Sequence, residues 1–331
     1  MTKPSGQTVL LGAVVAASCL LVGYLLLAYN PSGAGAAADA HSKLTLQKIP
    51  FNGQRAYGYL NELCELGPRV SDTPAMSAQQ KLLIEHFEKL GAKVRQQPFR
   101  IRHPETGQPV NMANIIVQFH PERRERILLC THYDTRPFPD QDPTNPRGTF
   151  LGANDGASGT ALLMELGRSM PALKGKLGVD FVFFDGEEFI FQEKRDPYFL
   201  GAKYFATEYA QQPPDYHYRA GVLLDMVGDG DLQIYPDRYS MSWADTEPLV
   251  KQIWDTAHRL GVREFVNNKR FEVLDDHIQL HDIAHIPVCD IIDFKYPAWH
   301  TQNDTPEQCS ALSLAKVGWV IEEWLKLAVR K

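Results

Sequence analysis

The sequence predicts an α/β domain with a mixed, mostly parallel central sheet flanked by helices, preceded by an N-terminal transmembrane helix. Three observations predict it. From about residue 46 onward, short apolar runs alternate with stretches of helical periodicity, the pattern of strand–helix–strand units. The apolar runs are followed by turns bearing a carboxylate or an imidazole, as at the carboxyl ends of strands in an open α/β sheet. Residues 8–29 carry no charge and are almost wholly apolar.

The bulk composition is that of a protein with an ordinary core: 44% hydrophobic and 22% charged residues. A net charge of -6 excludes the basic footprint expected of a nucleic-acid binder.

As a helix, residues 8–29 would reach ~33 Å, enough to cross a bilayer core. Lys3 precedes the run, and no Lys or Arg follows until Lys43. The positive-inside bias then places residues 1–30 as a cytoplasmic tip and membrane anchor, with the rest of the chain extracytoplasmic. Small residues around Ala34–Ala38 suit a signal peptidase, so secretion after cleavage is the alternative. A lipoprotein signal at Cys19 fits less well, because the apolar run continues past it. Residues 31–45 read as a small-residue linker, and residues 46–331 as a single catalytic domain.

Within that domain, Leu82, Leu83, Phe87 and Leu90 place a helix over residues 75–90, stopped by Gly91. Strands follow at 114–119 and 126–130, a helix at 157–170 and a buried strand at 179–184. A helix at 200–210, a strand at 220–227, a helix at 247–260 and a strand at 288–294 continue the alternation. A closing amphipathic helix at 312–328 sets Val317, Val320, Ile321 and Leu325 on one side. Of five cysteines, Cys19 falls in the anchor, and the other four show no CxxC spacing. A cysteine zinc site is therefore unexpected, while disulfides and buried free thiols are both open.

The strand ends carry the chemistry. Residues 126–130 lead into Thr131-His132-Tyr133-Asp134, and Gly152-Ala-Asn-Asp155-Gly156 opens a helix. Residues 179–184 lead into Asp185-Gly-Glu187-Glu188, 221–224 into Asp225, and the last strand into Trp299-His300-Thr301. Taken singly, each has an ordinary reading. A histidine after a strand is commonly a hydrogen-bonded loop residue, Asp155 a helix N-cap, and Asp225 a turn residue. Together they point to a shared cation, and imidazole nitrogen with carboxylate oxygen is a donor set of catalytic zinc. Adjacent carboxylates repel, but a metal can take one and leave the other, raised in pKa, for proton transfer. Glu188 is assigned to the metal and Glu187 to the proton.

Residues 51–327 resemble the zinc aminopeptidase fold family and, within it, the glutaminyl-peptide cyclotransferase branch. The resemblance is carried by Asn52-Gly-Gln-Arg-Ala56, Gly67-Pro-Arg69, His132-Tyr-Asp134, Gly152-Ala-Asn-Asp155, Glu187-Glu188, Leu224-Asp225, Asp275-Asp-His-Ile278 and Trp299-His-Thr301. The long stretch from Glu188 to Gly201 with Asp196, the Asp275–Ile278 loop, and Trp299 directly before His300 resemble the cyclases more than the aminopeptidases. The chain departs from the animal cyclases in three places. Glu193 stands where they carry a pocket tryptophan. Cys130 faces a partner position occupied by Thr160, so their disulfide is missing. The loop over residues 134–155 is longer and rich in proline and aspartate.

The resemblance implies one zinc held by Asp155, Glu188 and His300, Glu187 as proton carrier, and Asp225 and Asp275 orienting the substrate. Trp299 and Tyr296 would wall the pocket, and His132 would support the ligands. The implied substrates are the N-termini of peptides or proteins, with N-terminal glutamine closed to pyroglutamate and ammonia released. The alternative is a two-zinc aminopeptidase, in which His132, Asp155 and Asp225 help hold a second metal. A non-catalytic, receptor-like ectodomain is a third reading, disfavoured by the intact set of ligands.

Overall fold

The computed structural model describes residues 41–268 and 271–330. The anchor expected at 8–29 lies outside the described residues; among those described, no helix is long and apolar enough to cross a membrane. Helices α1 (Gly53–Glu65) and α2 (Pro74–Lys89) are followed by strands β1 (Lys93–Arg102), β2 (Pro109–Phe119) and β3 (Glu125–His132). Then come α3 (Ala157–Gly167), β4 (Gly178–Phe184), α4 (Leu200–Gln211) and β5 (His217–Asp225). The short α5 (Arg238–Ser242), α6 (Glu247–Leu260), α7 (Asp276–Ala284), β6 (Val288–Ile292) and α8 (Ala311–Ala328) complete the order.

The six strands form one sheet in the order β1-β2-β4-β3-β5-β6. The contacts of β2 with β1 and with β4 are antiparallel, whereas β4, β3, β5 and β6 run parallel. The expected mixed sheet with a parallel centre is thus present. Every residue of β4 and all but the first of β3 are buried, as befits strands covered on both faces. Alternation at period two divides the core. Ile127, Leu129, Phe181 and Phe183 join the larger cluster with residues of α1, α2, α3, α6 and α8. Leu128, Cys130, Val182 and Phe184 join a smaller one with residues of α4 and α7.

Several boundaries differ from the sequence expectation for local reasons. The helix expected to reach residue 170 ends at Gly167, and residues 170–172 form a separate 3-10 turn with Pro171 near its start, where the missing amide hydrogen costs no helical bond. Strand β5 stops at Asp225 because Met226 turns into the left-handed region, φ 45°. Strand β6 stops at Ile292, and Asp293 accepts the backbone N–H of Lys295 in the turn that follows. Helix α1, strand β1 and helix α7 were not expected. The Asp275–Ile278 motif is therefore a helix start rather than a loop, with Asp275 as N-cap. β1, the outermost strand beside β2, carries Lys93, Arg95, Arg100 and Arg102 and is interrupted in composition by Pro98. Cys64, Cys130, Cys289 and Cys309 are all buried free thiols.

Candidate active site

The carboxyl ends of the parallel strands deliver their side chains to one place. His132 closes β3 and Asp225 closes β5, and His132 Nε2 lies 3.1 Å from Asp225 Oδ1. The same nitrogen lies 3.1 Å from Asp155 Oδ1. On the other side, His300 Nε2 stands 3.6 Å from Asp155 Oδ2 and 3.4 Å from Glu188 Oε2. Donor atoms of His132, Asp155 and Glu188 all fall within 4.8 Å of one another. Asp155 is thus flanked by two imidazoles, and His132 approaches it more closely than His300 does.

Buried polar groups hold these residues. Asp134 accepts the backbone N–H groups of Glu187 (3.1 Å) and Glu188 (3.3 Å), which fixes the glutamate pair relative to β3. Arg136 donates its backbone N–H to Glu188 Oε1 at 2.7 Å. Asp304 accepts from the backbone N–H groups of Asn154 and Asp155 at 2.8 and 3.1 Å. The turn before Asp155 requires Gly152: its φ is +58°, and a Cβ there would sit 2.5 Å from the Asp155 carbonyl oxygen. His300 also adopts a left-handed conformation, φ 54°.

The electrostatics follow from burial and crowding. Burial and the charge of Asp155 push the Glu188 carboxyl up to about 7, against the pull of His300. Burial raises Glu187 well above the usual carboxylate range; His132 opposes the shift and Glu188 adds to it. Burial also raises Asp225, and burial together with the Asp225 charge raises Asp275. Asp155 goes the other way: burial pushes it up, but His132 and His300 outweigh that and hold it low. Burial works against a charged His132, yet Asp225, Asp134 and Asp155 lift it well above its ordinary value. For His300, burial is outweighed by Asp140 and Glu188, which bring it to about 9.

These features fit a bound cation. Asp155 Oδ2 and Glu188 Oε2 are buried with no hydrogen-bond partner, a condition that native interiors relieve with an ion or water. The available donors, carboxylate oxygen and imidazole nitrogen, are those zinc takes.

A cavity of about 300 Å³ opens beside this cluster. Glu187, Glu188, Asp155, Asp225, Asp275 and His300 reach it, with Trp299, Phe199 and Ile292 among its apolar walls. The Trp299 ring stacks on His300 with centroids 3.9 Å apart. The expected wall residue Tyr296 is placed elsewhere. It is absent from the cavity lining, and its hydroxyl donates to Asp304 at 2.7 Å, so it supports the Asp155 turn from behind. His132 also lies behind the cavity rather than in it. Sequence reasoning passed over Arg136, Asp140 and Asp304. The proline- and aspartate-rich loop was the one signal for the first two.

Residues 114–325 match peptidase family M28. The crystal structure of a glutaminyl cyclase from Fimbriiglobus ruber superposes with a TM-score of 0.81 at 40% identity, covering 86% of this chain and 97% of that one. A Zn-dependent exopeptidase from Parabacteroides distasonis gives a TM-score of 0.76 at 32% identity, over 83% of this chain and 98% of that one. The glutaminyl-peptide cyclotransferase of Drosophila melanogaster is 26% identical over 258 residues, 72% of this chain and 70% of its own length. The chain belongs to peptidase family M28 and is similar, within it, to the glutaminyl cyclases.

Proposed function

We propose that the protein is a zinc-dependent glutaminyl-peptide cyclotransferase, converting the N-terminal glutamine of peptides to pyroglutamate with release of ammonia. The observation that carries this reading is a small, walled cavity with Trp299 stacked on His300 and Glu187 beside Glu188. It suits one bent side chain and a proton carrier. The similarity to glutaminyl cyclases supports the same reading.

Asp155 and Glu188, with His300, would hold the zinc; His132 would brace Asp155 and Asp225. A zinc ion bound there supplies Lewis-acid polarisation of the substrate's side-chain carbonyl. In the reaction the substrate's own α-amino nitrogen attacks its side-chain amide carbon. A carbon–nitrogen bond forms, and the bond to the amide nitrogen breaks. Glu187, raised in pKa by its burial, takes a proton from the amine and returns one to the departing ammonia. Asp225 and Asp275, both at the cavity, orient the amine and the amide. Trp299 covers the aliphatic part of the side chain and favours the folded conformer in which the reacting atoms meet.

One observation favours a second reading: His132 Nε2 stands equally near Asp155 and Asp225, which suits a second metal and an aminopeptidase. Mass spectrometry of a Gln-initiated peptide incubated with the purified protein separates the two. Loss of ammonia is expected; loss of the whole first residue would reject the cyclase reading. The uncharged run at residues 8–29 supports a membrane-anchored enzyme with its catalytic domain outside the cytoplasm.

A further inference from the structure

The loop over residues 134–155 makes contacts that its composition does not explain. Its consecutive residues Asp140, Gln141 and Asp142 each reach the segment that carries His300. Asp140 Oδ1 lies 3.2 Å from His300 Nδ1, within reach though off the line of an ideal hydrogen bond. The Gln141 backbone N–H donates to the His300 carbonyl oxygen at 3.1 Å. Asp142 Oδ2 accepts the backbone N–H of Gln302 at 3.0 Å.

The grip is itself anchored at both ends. The Arg136 guanidinium donates to both oxygens of Asp140, at 2.8 and 3.0 Å, while its backbone N–H holds Glu188. Asp142 Oδ1 accepts from Thr144 N, Thr144 Oγ1 and Asn145 N, at 2.9, 2.8 and 2.9 Å. One carboxylate therefore closes its own turn and reaches across with its second oxygen.

His300 needs such support. A non-glycine residue at φ 54° is held in a sparsely populated conformation, which persists only where the surroundings over-determine it. A contact on Nδ1 also decides which ring nitrogen faces Asp155 and Glu188.

We propose that Asp140, Gln141 and Asp142 form a brace whose role is to position His300 for metal binding. Asp140 sets the ring through Nδ1, and Gln141 and Asp142 hold the backbone at the His300 carbonyl and at the Gln302 amide just beyond it. They are positioning residues. The inference rests on the reading of His300 as a zinc ligand and adds that its geometry is imposed by the 134–155 loop.

The test is zinc affinity, measured by chelator competition on the purified full chain. Asp140→Ala and Asp142→Ala are each expected to weaken zinc binding about 10- to 100-fold. Asp142→Asn, which keeps one acceptor oxygen, is expected to recover part of the loss. Thr207→Val, which removes an exposed side-chain bond to the Lys203 carbonyl within α4, is expected to leave affinity unchanged. Circular dichroism at the assay temperature identifies any variant that has unfolded, and Asp142→Asn then carries the test. Wild-type affinity in folded Asp140→Ala and Asp142→Ala would overturn the brace, provided His300→Ala loses zinc. Wild-type affinity in His300→Ala as well would overturn the ligand assignment along with it.

Discussion

Arg126 and Asp180 pair with neither side chain exposed to solvent. Arg126 Nε donates to Asp180 Oδ1 at 2.9 Å, and its Nη2 contacts the same oxygen. The guanidinium also bonds the carbonyl oxygens of Phe119, His120 and Arg123. The other oxygen of Asp180 accepts from Gln118 and Tyr218. One buried pair thus links β2, β3, β4 and β5 near the end of the sheet opposite His132 and Asp225. Arg126→Met leaves a buried, uncompensated carboxylate and is expected to cost about 3–5 kcal/mol. Urea unfolding measures it. A double variant, Arg126→Met with Asp180→Leu, should recover much of the loss. A single-variant cost under about 1 kcal/mol would show that the pair contributes no more than a surface one.

Glu187 should be separable from the metal. Asp134 accepts its backbone N–H at 3.1 Å, a contact that the substitution leaves in place. Glu187→Gln is expected to keep wild-type zinc content by elemental analysis while kcat falls about 10²- to 10⁴-fold. Retained turnover in that variant would assign the proton to another group.

The cavity should discriminate peptides by charge. Among the described residues that line it there is no lysine or arginine. Glu193 and Glu272 line it with side chains 55% and 61% exposed, each beside one arginine, Arg136 and Arg238. Gln-peptides with lysine at the second and third positions should exceed those with aspartate by about 3- to 10-fold in kcat/KM, the gap narrowing at high salt. Glu193→Gln with Glu272→Gln should shrink the gap further. Equal kcat/KM for the two peptide sets at low salt would refute this selectivity.

Asp293 should make stability depend on pH. Burial pushes its carboxyl up to about 7, although the backbone N–H groups of Gln233 and Lys295 pull it down. A carboxyl raised on folding favours the folded state while protonated. Its contribution is therefore full below about pH 4 and lost as pH rises through about 7. At roughly 1.4 kcal/mol per unit, the loss is at most about 4 kcal/mol. Asp293→Asn removes this slope, so the stability of wild type relative to the variant should decline from pH 4 to pH 8. Parallel urea midpoints across that range would contradict it.

The residues gathered at the strand ends were more legible in the sequence than those that hold them. His132, Glu188, Asp225 and His300 end or follow apolar strands, and the shared direction of those parallel strands brings them to one edge. Arg136, Asp140 and Asp304 act through contacts far apart in the chain, which no local pattern records. Tyr296 shows the same limit: an aromatic next to the site in sequence turns its hydroxyl inward to Asp304. Among the elements, α1 was hidden by two glycines and a polar composition, although Ala56, Leu60 and Leu63 face the core. Pro98 hid β1, since proline breaks a strand pattern but is tolerated at a sheet edge. The charged residues at the start of α7 read as a loop until Asp275 was seen to cap it.

That outermost strand also bears on how the protein behaves when crowded. An open sheet border invites backbone pairing with another chain. Here Lys93, Arg95, Arg100 and Arg102 set four cations along it, and Pro98 removes an amide hydrogen from the ladder. A second molecule offering the same border would meet electrostatic repulsion and an incomplete zipper, both of which oppose edge-to-edge pairing.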